Sequence, residues 1–218
     1  SVIGGEPRKF GAAFKDDELV EVFSKLPEPK HLANGEDVYN ILLTGIGGTG
    51  VLTVAAIAGM AAHLDNKGAS VMDITGMAQK GGGVLSHIRI APTPEDLHAP
   101  RLWRQSTDLV LGCDLVVTAS PATLDMVSPD TRILVNTDVV PTAQFQSNNA
   151  INFGPEVQMV TLRDVVGDNA EGIEATEMAT ELMGDSIYTN MFMLGFAVQK
   201  GLVPLAIKSL EEAIKLNG

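Results

Sequence analysis

The stretch Asn40–Gly50, NILLTGIGGTG, limits what this chain can fold into more than any other. An apolar run ends on Gly45, Gly47, Gly48 and Gly50 and gives way to a helix-compatible segment, Val51–Leu64. Glycine lets backbone turn tightly and lets a ligand or another backbone come close, so strand, glycine turn and helix describe the first corner of a βαβ unit. Small residues at Ala55, Ala56, Ala58, Gly59, Ala61 and Ala62 let that helix lie close against a sheet. Its first amides lack intrahelical partners and would point back into the turn. Gly45, Gly47, Gly48, Thr49 and Gly50 are therefore candidates to bind an anion such as phosphate. The competing reading is architectural, with Gly47 and Gly50 only permitting tight strand-to-helix packing.

With 218 residues the chain can build one sizeable core. Its apolar fraction of 45% contains only 5% aromatics, so Val, Ile, Leu, Ala and Met must fill that core. Fifteen basic residues against 27 acidic ones leave a formal charge of -12, which repels a nucleic-acid backbone or an anionic bilayer. The longest apolar run, Val51–Ala62, is too short to span a membrane. Nothing near the amino terminus resembles an export signal, so a cytoplasmic location is expected. The lone Cys113 excludes an internal disulfide, a zinc cage of thiolates or a cysteine-ligated iron–sulfur cluster within this chain, and reads as a buried thiol. The chain opens on Ser1 without an initiator Met, as a piece of a longer polypeptide or a processed tag would.

Residues 1–37 mix charge, proline and glycine around one short amphipathic stretch, Asp16–Ser24, and read as a linker with a docking helix packed on a neighbour. From Val38 to Gly218 the pattern is that of a single α/β domain. Val38–Thr44, Ala69–Ile74 and Val84–Ala91 are predicted strands, with further strands at Asp114–Ala119, Thr131–Asn136 and Val157–Thr161. The last third predicts helices over Ile173–Met183, Ile187–Lys200 and Leu205–Leu216, with Gly184 and Gly201 as stops and Pro204 as a start. Such an order predicts a Rossmann-like, largely parallel sheet with helices on both faces and a helical carboxyl-terminal third.

Asp73 ends the second predicted strand, where a dinucleotide fold places an acid on the adenine ribose; capping the following loop is the equally available role. The loop Thr75–Gly83, TGMAQKGGG, sets Gln79 and Lys80 before Gly81, Gly82 and Gly83. An amide and a cation on a glycine-rich loop at the strand ends could contact a carboxylate or phosphate, so Gln79, Lys80, Gly81 and Gly82 are candidate active-site residues. The alternative is a solvated lysine on a long loop. No two of His31, His63, His87 and His98 have metal-ligand spacing, and no metal site is expected. Ser120 lacks the flanking glycines of a nucleophile elbow. Asn190 is the polar exception in the apolar run IYTNMFMLG; a buried amide there must hold a neighbouring loop or face a bound group.

In order along the chain, GIGGTGVLTVAAIAGMAA, DITGMAQKGGGVLSHIRIA, CDLVVTASP and GDSIYTNMFMLGFAVQKGLVP together resemble the gamma-type catalytic domain of the 2-oxoacid:ferredoxin oxidoreductases. The likeness runs from about Val38 to the carboxyl end and is nearest to the indolepyruvate-specific members. It implies a thiamine-diphosphate enzyme that decarboxylates an aryl 2-oxo acid, passes two electrons through iron–sulfur clusters to ferredoxin and releases an acyl-coenzyme A. It also implies that thiamine diphosphate with Mg and the 4Fe–4S clusters sit on other domains or subunits, with coenzyme A as co-substrate. Many relatives carry Arg before the paired glycines of the loop; here Lys80 keeps the charge but loses the bidentate geometry. By the same likeness the isolated domain is expected to be inactive. A stand-alone NAD- or FAD-dependent oxidoreductase and a non-catalytic interaction domain are the alternatives.

Overall fold

The computed structural model describes residues 25–30, 32, 37–75, 82–138 and 154–217. Within them the chain runs β1 (Tyr39–Ile46), α1 (Val51–Leu64), β2 (Gly68–Thr75), β3 (Gly83–Ala91), β4 (Thr107–Gly112), α2 (Leu115–Thr118), α3 (Pro121–Leu124) and β5 (Val127–Asn136). It continues through α4 (Pro155–Val166), β6 (Ala170–Ile173), α5 (Ala175–Met183), α6 (Thr189–Gln199) and α7 (Ile207–Asn217). The six strands form one sheet in the order β2-β3-β1-β4-β5-β6.

The half built from β1, β4, β5 and β6 is parallel. β3 runs antiparallel to both β1 and β2, pairing Leu42 with His87 on one side and Met72 with His87 on the other. β1 and β2 therefore point the same way with β3 inserted between them, a split βαβ unit. Side chains alternate across the pleat and so divide between two cores. Ile41, Leu43, Leu109 and Leu111 pack with α1, α6 and α7 on one face. Leu42, Val110, Ile133 and Val135 pack with Leu115, Met159, Leu162 and Val166 on the other. Each fully buried leucine of this kind contributes about 1.5–3 kcal/mol.

Three predicted boundaries change. Asp114–Ala119 is not a strand, because the strand lies just before it at Thr107–Gly112 and Asp114 starts a helical turn by accepting the Val117 amide at 2.8 Å. Val157–Thr161 lies inside α4, whose buried Met159, Leu162 and Val166 follow a helical interval that outweighs the β-branched composition. Ile173 closes β6, and the helix that follows opens at Ala175. Of the amino-terminal segment, Pro27 accepts a bond from Gln199 Nε2 at 2.8 Å and the Leu32 amide donates to Gly201 at 2.9 Å. The expected docking helix, Asp16–Ser24, lies outside the described residues.

Candidate active-site crevice

β1 and β4 are adjacent, yet the chain leaves β1 toward α1 and β2 and leaves β4 toward α2 and β5. That reversal of direction opens a crevice beyond the carboxyl ends of the strands, the usual ligand position in such sheets. Two clefts meet there on either side of the glycine turn. One, of about 940 Å³, is lined by Gly48–Gly50, Asp114, Asn136, Asp138 and the Asp185–Asn190 segment. The other, of about 710 Å³, is lined by Gly47, Gly48, Leu52, Thr75 and Gly82.

The glycines of the turn have distinct reasons to be glycine. A Cβ on Gly45 would lie 2.5 Å from Val51 Cγ2 and 3.2 Å from the Cys113 Cβ, so Gly45 is required by the close approach of α1 and β4. Gly48 and Gly50 have open space around them but φ values of 88° and 89°, which side-chain-bearing residues rarely adopt. Gly47 donates its amide to Gly82 O at 2.9 Å, and Thr49 donates its amide to Ile46 O at 3.3 Å. Those two amides are thus engaged within the protein. Gly50 stands at the N-cap of α1, which has no side-chain cap and no acid in its first turn. The opening amides of α1, at Val51, Leu52 and Thr53, consequently face the crevice without a protein acceptor among the described residues.

The neighbouring helical turns are finished differently. Asp114 accepts the Val117 amide, Asp138 accepts those of Thr176 and Glu177 at 2.8 and 3.2 Å, and Asp185 accepts that of Ile187 at 2.9 Å. Burial raises the Asp114 carboxyl above the usual carboxylate range, and the amides of Val117 and Val116 counter it. Asn136 joins this edge by accepting the Ala175 amide at 3.0 Å and donating to Thr176 Oγ1 at 2.9 Å. Sequence reasoning missed Asp114, Asn136, Asp138 and Asp185 as crevice residues; the Asx residues at strand-to-helix junctions were the available signal.

Two of the sequence candidates are brought to the turn by bonds. Asn190, buried at 6% exposure, donates from Nδ2 to Thr49 O at 2.8 Å. Its amide holds the turn, one of the two roles expected of it. Gly82 touches the turn from the other side through the bond from Gly47. Gln79, Lys80 and Gly81 lie outside the described residues. Asp73 accepts from Ser86 Oγ across the β2–β3 pair and sits on the edge strand, with β3 between it and β1.

The remaining titratable candidates have structural partners. His87 is 1% exposed and accepts the Leu102 amide on Nδ1 at 2.9 Å; burial, then the nearby Arg101 charge, lowers its pKa below the ordinary histidine value. Burial, with a smaller push from Asp114, raises the Cys113 thiol to about 12, so it stays protonated and inert. Among the described residues no group of three His, Cys, Asp or Glu side chains could hold a metal ion, and no helix is long and apolar enough to cross a membrane.

Comparison with known proteins gives the crevice its family. Residues 40–217 match the model of the pyruvate ferredoxin/flavodoxin oxidoreductase family. The indolepyruvate oxidoreductase subunit IorB of Methanothermobacter thermautotrophicus is 30% identical over 82% of this chain and 87% of its own length. The subunit of the same name from Archaeoglobus fulgidus is 29% identical over 81% and 84%. Among solved structures, the pyruvate oxidoreductase subunit PORC of Thermotoga maritima shares the fold at a TM-score of 0.56 and 20% identity, over 83% of this chain and 85% of that one. The 2-oxoglutarate:ferredoxin oxidoreductase of Magnetococcus marinus, solved with 2-oxoglutarate, coenzyme A and succinyl-CoA, shares it at 0.58 and 14% identity over 83% of this chain and 27% of that one. The chain belongs to the pyruvate ferredoxin/flavodoxin oxidoreductase family and is one part of a 2-oxoacid:ferredoxin oxidoreductase.

Proposed function

We propose that this chain is the gamma-type domain of an indolepyruvate:ferredoxin oxidoreductase, and that its glycine-turn crevice receives the phosphates of coenzyme A. The reaction is the oxidative decarboxylation of an aryl 2-oxo acid to an acyl-coenzyme A and CO2, with two electrons passed to ferredoxin. The substrate assignment is supported by the indolepyruvate relatives, whose length the chain nearly spans. Thiamine diphosphate with Mg supplies the electron sink for decarboxylation and 4Fe–4S clusters the electron path. One cysteine cannot furnish four thiolates, and the Gly-Asp pairs that the family resemblance would look to for thiamine diphosphate, Gly167-Asp168 and Gly184-Asp185, follow α4 and α5 instead of a strand. The chain therefore does not fit either cofactor, and both are assigned to companion parts of the enzyme.

The observation that carries the coenzyme A assignment is the uncapped amino terminus of α1. Asp114, Asp138 and Asp185 occupy the amides of the helical turns around it, whereas α1 offers its own to the crevice. Free amides at a helix start and the positive end of the helix dipole favour a phosphate. Gly48 and Gly50 let the backbone bare those amides, and Asn190 keeps the turn in register through Thr49. Lys80 and Gln79, on the loop that Gly82 ties to the turn, are assigned to the carboxylate of the 2-oxo acid or its acyl product.

Thr53→Asp in the complete enzyme tests this. A carboxylate in the first turn of α1 occupies the place of a phosphate, so KM for coenzyme A should rise about three- to tenfold. KM for pantetheine, which lacks the nucleotide phosphates, should not change. Equal effects on both thiols would return the turn to a purely architectural role. Lys80→Ala with unchanged turnover and coenzyme A affinity would favour an interaction domain over a catalytic one.

A further inference from the structure

α6 carries no charged residue from Thr189 to Gln199. Met193, Leu194, Ala197 and Val198 are buried and belong to the core that it shares with α1 and α7. Phe192, Gly195, Phe196 and Gln199 form a second stripe at helical spacing, half-buried or exposed. The rings of Phe192 and Phe196 stand 6.2 Å apart between centroids, and Lys200 Nζ lies 5.6 Å from the centroid of Phe196. A helix on the surface of a domain ordinarily turns polar and charged residues outward, whereas one that is apolar all round is covered on every side.

Gly195, between the two rings, points the same way. A Cβ there would meet nothing within 4 Å, and Gly195 is not among the positive-φ glycines, so neither crowding nor backbone conformation among the described residues asks for glycine. Glycine inside a helix costs stability relative to alanine. A second segment crossing α6 closely at Gly195 gives the missing side chain a use.

The amino-terminal segment already sits at one end of this stripe. Gln199 donates from Nε2 to Pro27 O at 2.8 Å, and the Leu32 amide donates to Gly201 O at 2.9 Å. Ser24 is three residues before Pro27, a reach of about 10 Å. The stripe from Phe192 to Gln199 is about 10 Å long and a helix over Asp16–Ser24 about 14 Å, so one covers the other. At helical spacing Leu19, Val20, Val22 and Phe23 share one side of that segment and Asp17, Glu18 and Glu21 the other. The tether at Pro27 holds it beside α6 at an effective concentration on the order of millimolar, an advantage that no separate partner has.

We propose that Asp16–Ser24 docks as a helix across α6 of its own chain, with Leu19, Val20 and Phe23 covering Phe192, Gly195 and Phe196. The arm then braces the helix whose Asn190 holds the glycine turn. None of this depends on where coenzyme A binds.

Disulfide trapping in the complete enzyme tests it without requiring activity, since the native Cys113 is buried. Phe23→Cys combined with Gly195→Cys should cross-link within one chain about tenfold faster under mild oxidation than Glu21→Cys combined with Gly195→Cys, whose first position faces away. Equal rates overturn the proposal, as do cross-links that join two copies of the chain. Amide exchange on the otherwise unaltered enzyme gives a second reading, because a helix of nine residues is not stable undocked. The Asp16–Ser24 amides should exchange at least about tenfold more slowly than in a free peptide of that sequence, and Gly195→Glu should abolish the difference. Exchange at the free-peptide rate overturns the docking. Protection that survives Gly195→Glu in a folded enzyme places the arm on another surface and overturns it equally.

Discussion

Individual glycines in the turn carry different physical duties, and substitutions separate them. Gly45→Ala forces a Cβ against Val51 Cγ2 and the Cys113 Cβ, and should lower stability by about 1–3 kcal/mol in urea unfolding. Gly48→Ala meets no neighbour, so its cost is conformational, about 1–2 kcal/mol, and should appear without any change in core packing. Asn190→Leu leaves Thr49 O without its donor and should cost about 1–3 kcal/mol. Loosening the turn should also raise KM for coenzyme A. His87 sets a pH response. Its pKa is lower folded than unfolded, so the unfolded chain binds the extra proton first as pH falls. Stability from neutral His87 is complete above about pH 6.5 and is lost as pH drops toward the depressed folded value. Asp108 and Asp114 have the opposite sign, since burial raises both and stability returns as they protonate at lower pH. His87→Gln should flatten the fall between about pH 7 and 5.5, measured by chemical unfolding across that range.

At the scale of elements, aspartate side chains close the first turns of α2 and α5 and of the short turn Ser186–Tyr188. Asp138→Ala should loosen the first turn of α5 and cost about 0.5–2 kcal/mol, visible as faster amide exchange at Thr176 and Glu177. This same chemistry explains what the sequence did and did not reveal. Asn40–Gly50 announced strand, turn and helix because glycine spacing and small-residue periodicity are local facts. Residues 114–119 and 157–161 misled because DLVVTA and VQMVT are rich in β-branched side chains. A capping bond from Asp114 and burial of every third or fourth residue of α4 decided both for helix. Asn190 could be recognised as a polar residue needing a partner. Which partner it found, Thr49 O, depends on a contact 141 positions away that no local pattern encodes.

For the whole molecule, the chain should show no turnover of an aryl 2-oxo acid with coenzyme A and ferredoxin when purified by itself, and activity should depend on restoring its companion parts. Turnover by this chain alone at an ordinary enzymatic rate would overturn the assignment. β3, lying between β1 and β2, has a further consequence for how such an enzyme could be retuned. Because β1 and β2 share a direction, the segment joining β2 to β3 leaves and re-enters the sheet at the same edge as Gly47–Gly50, and it returns beside them through Gly82. Residues can be added to or removed from that connection without shifting any strand against its neighbour. The connection between β2 and β3 can thus change in length while α1 keeps its place against the sheet.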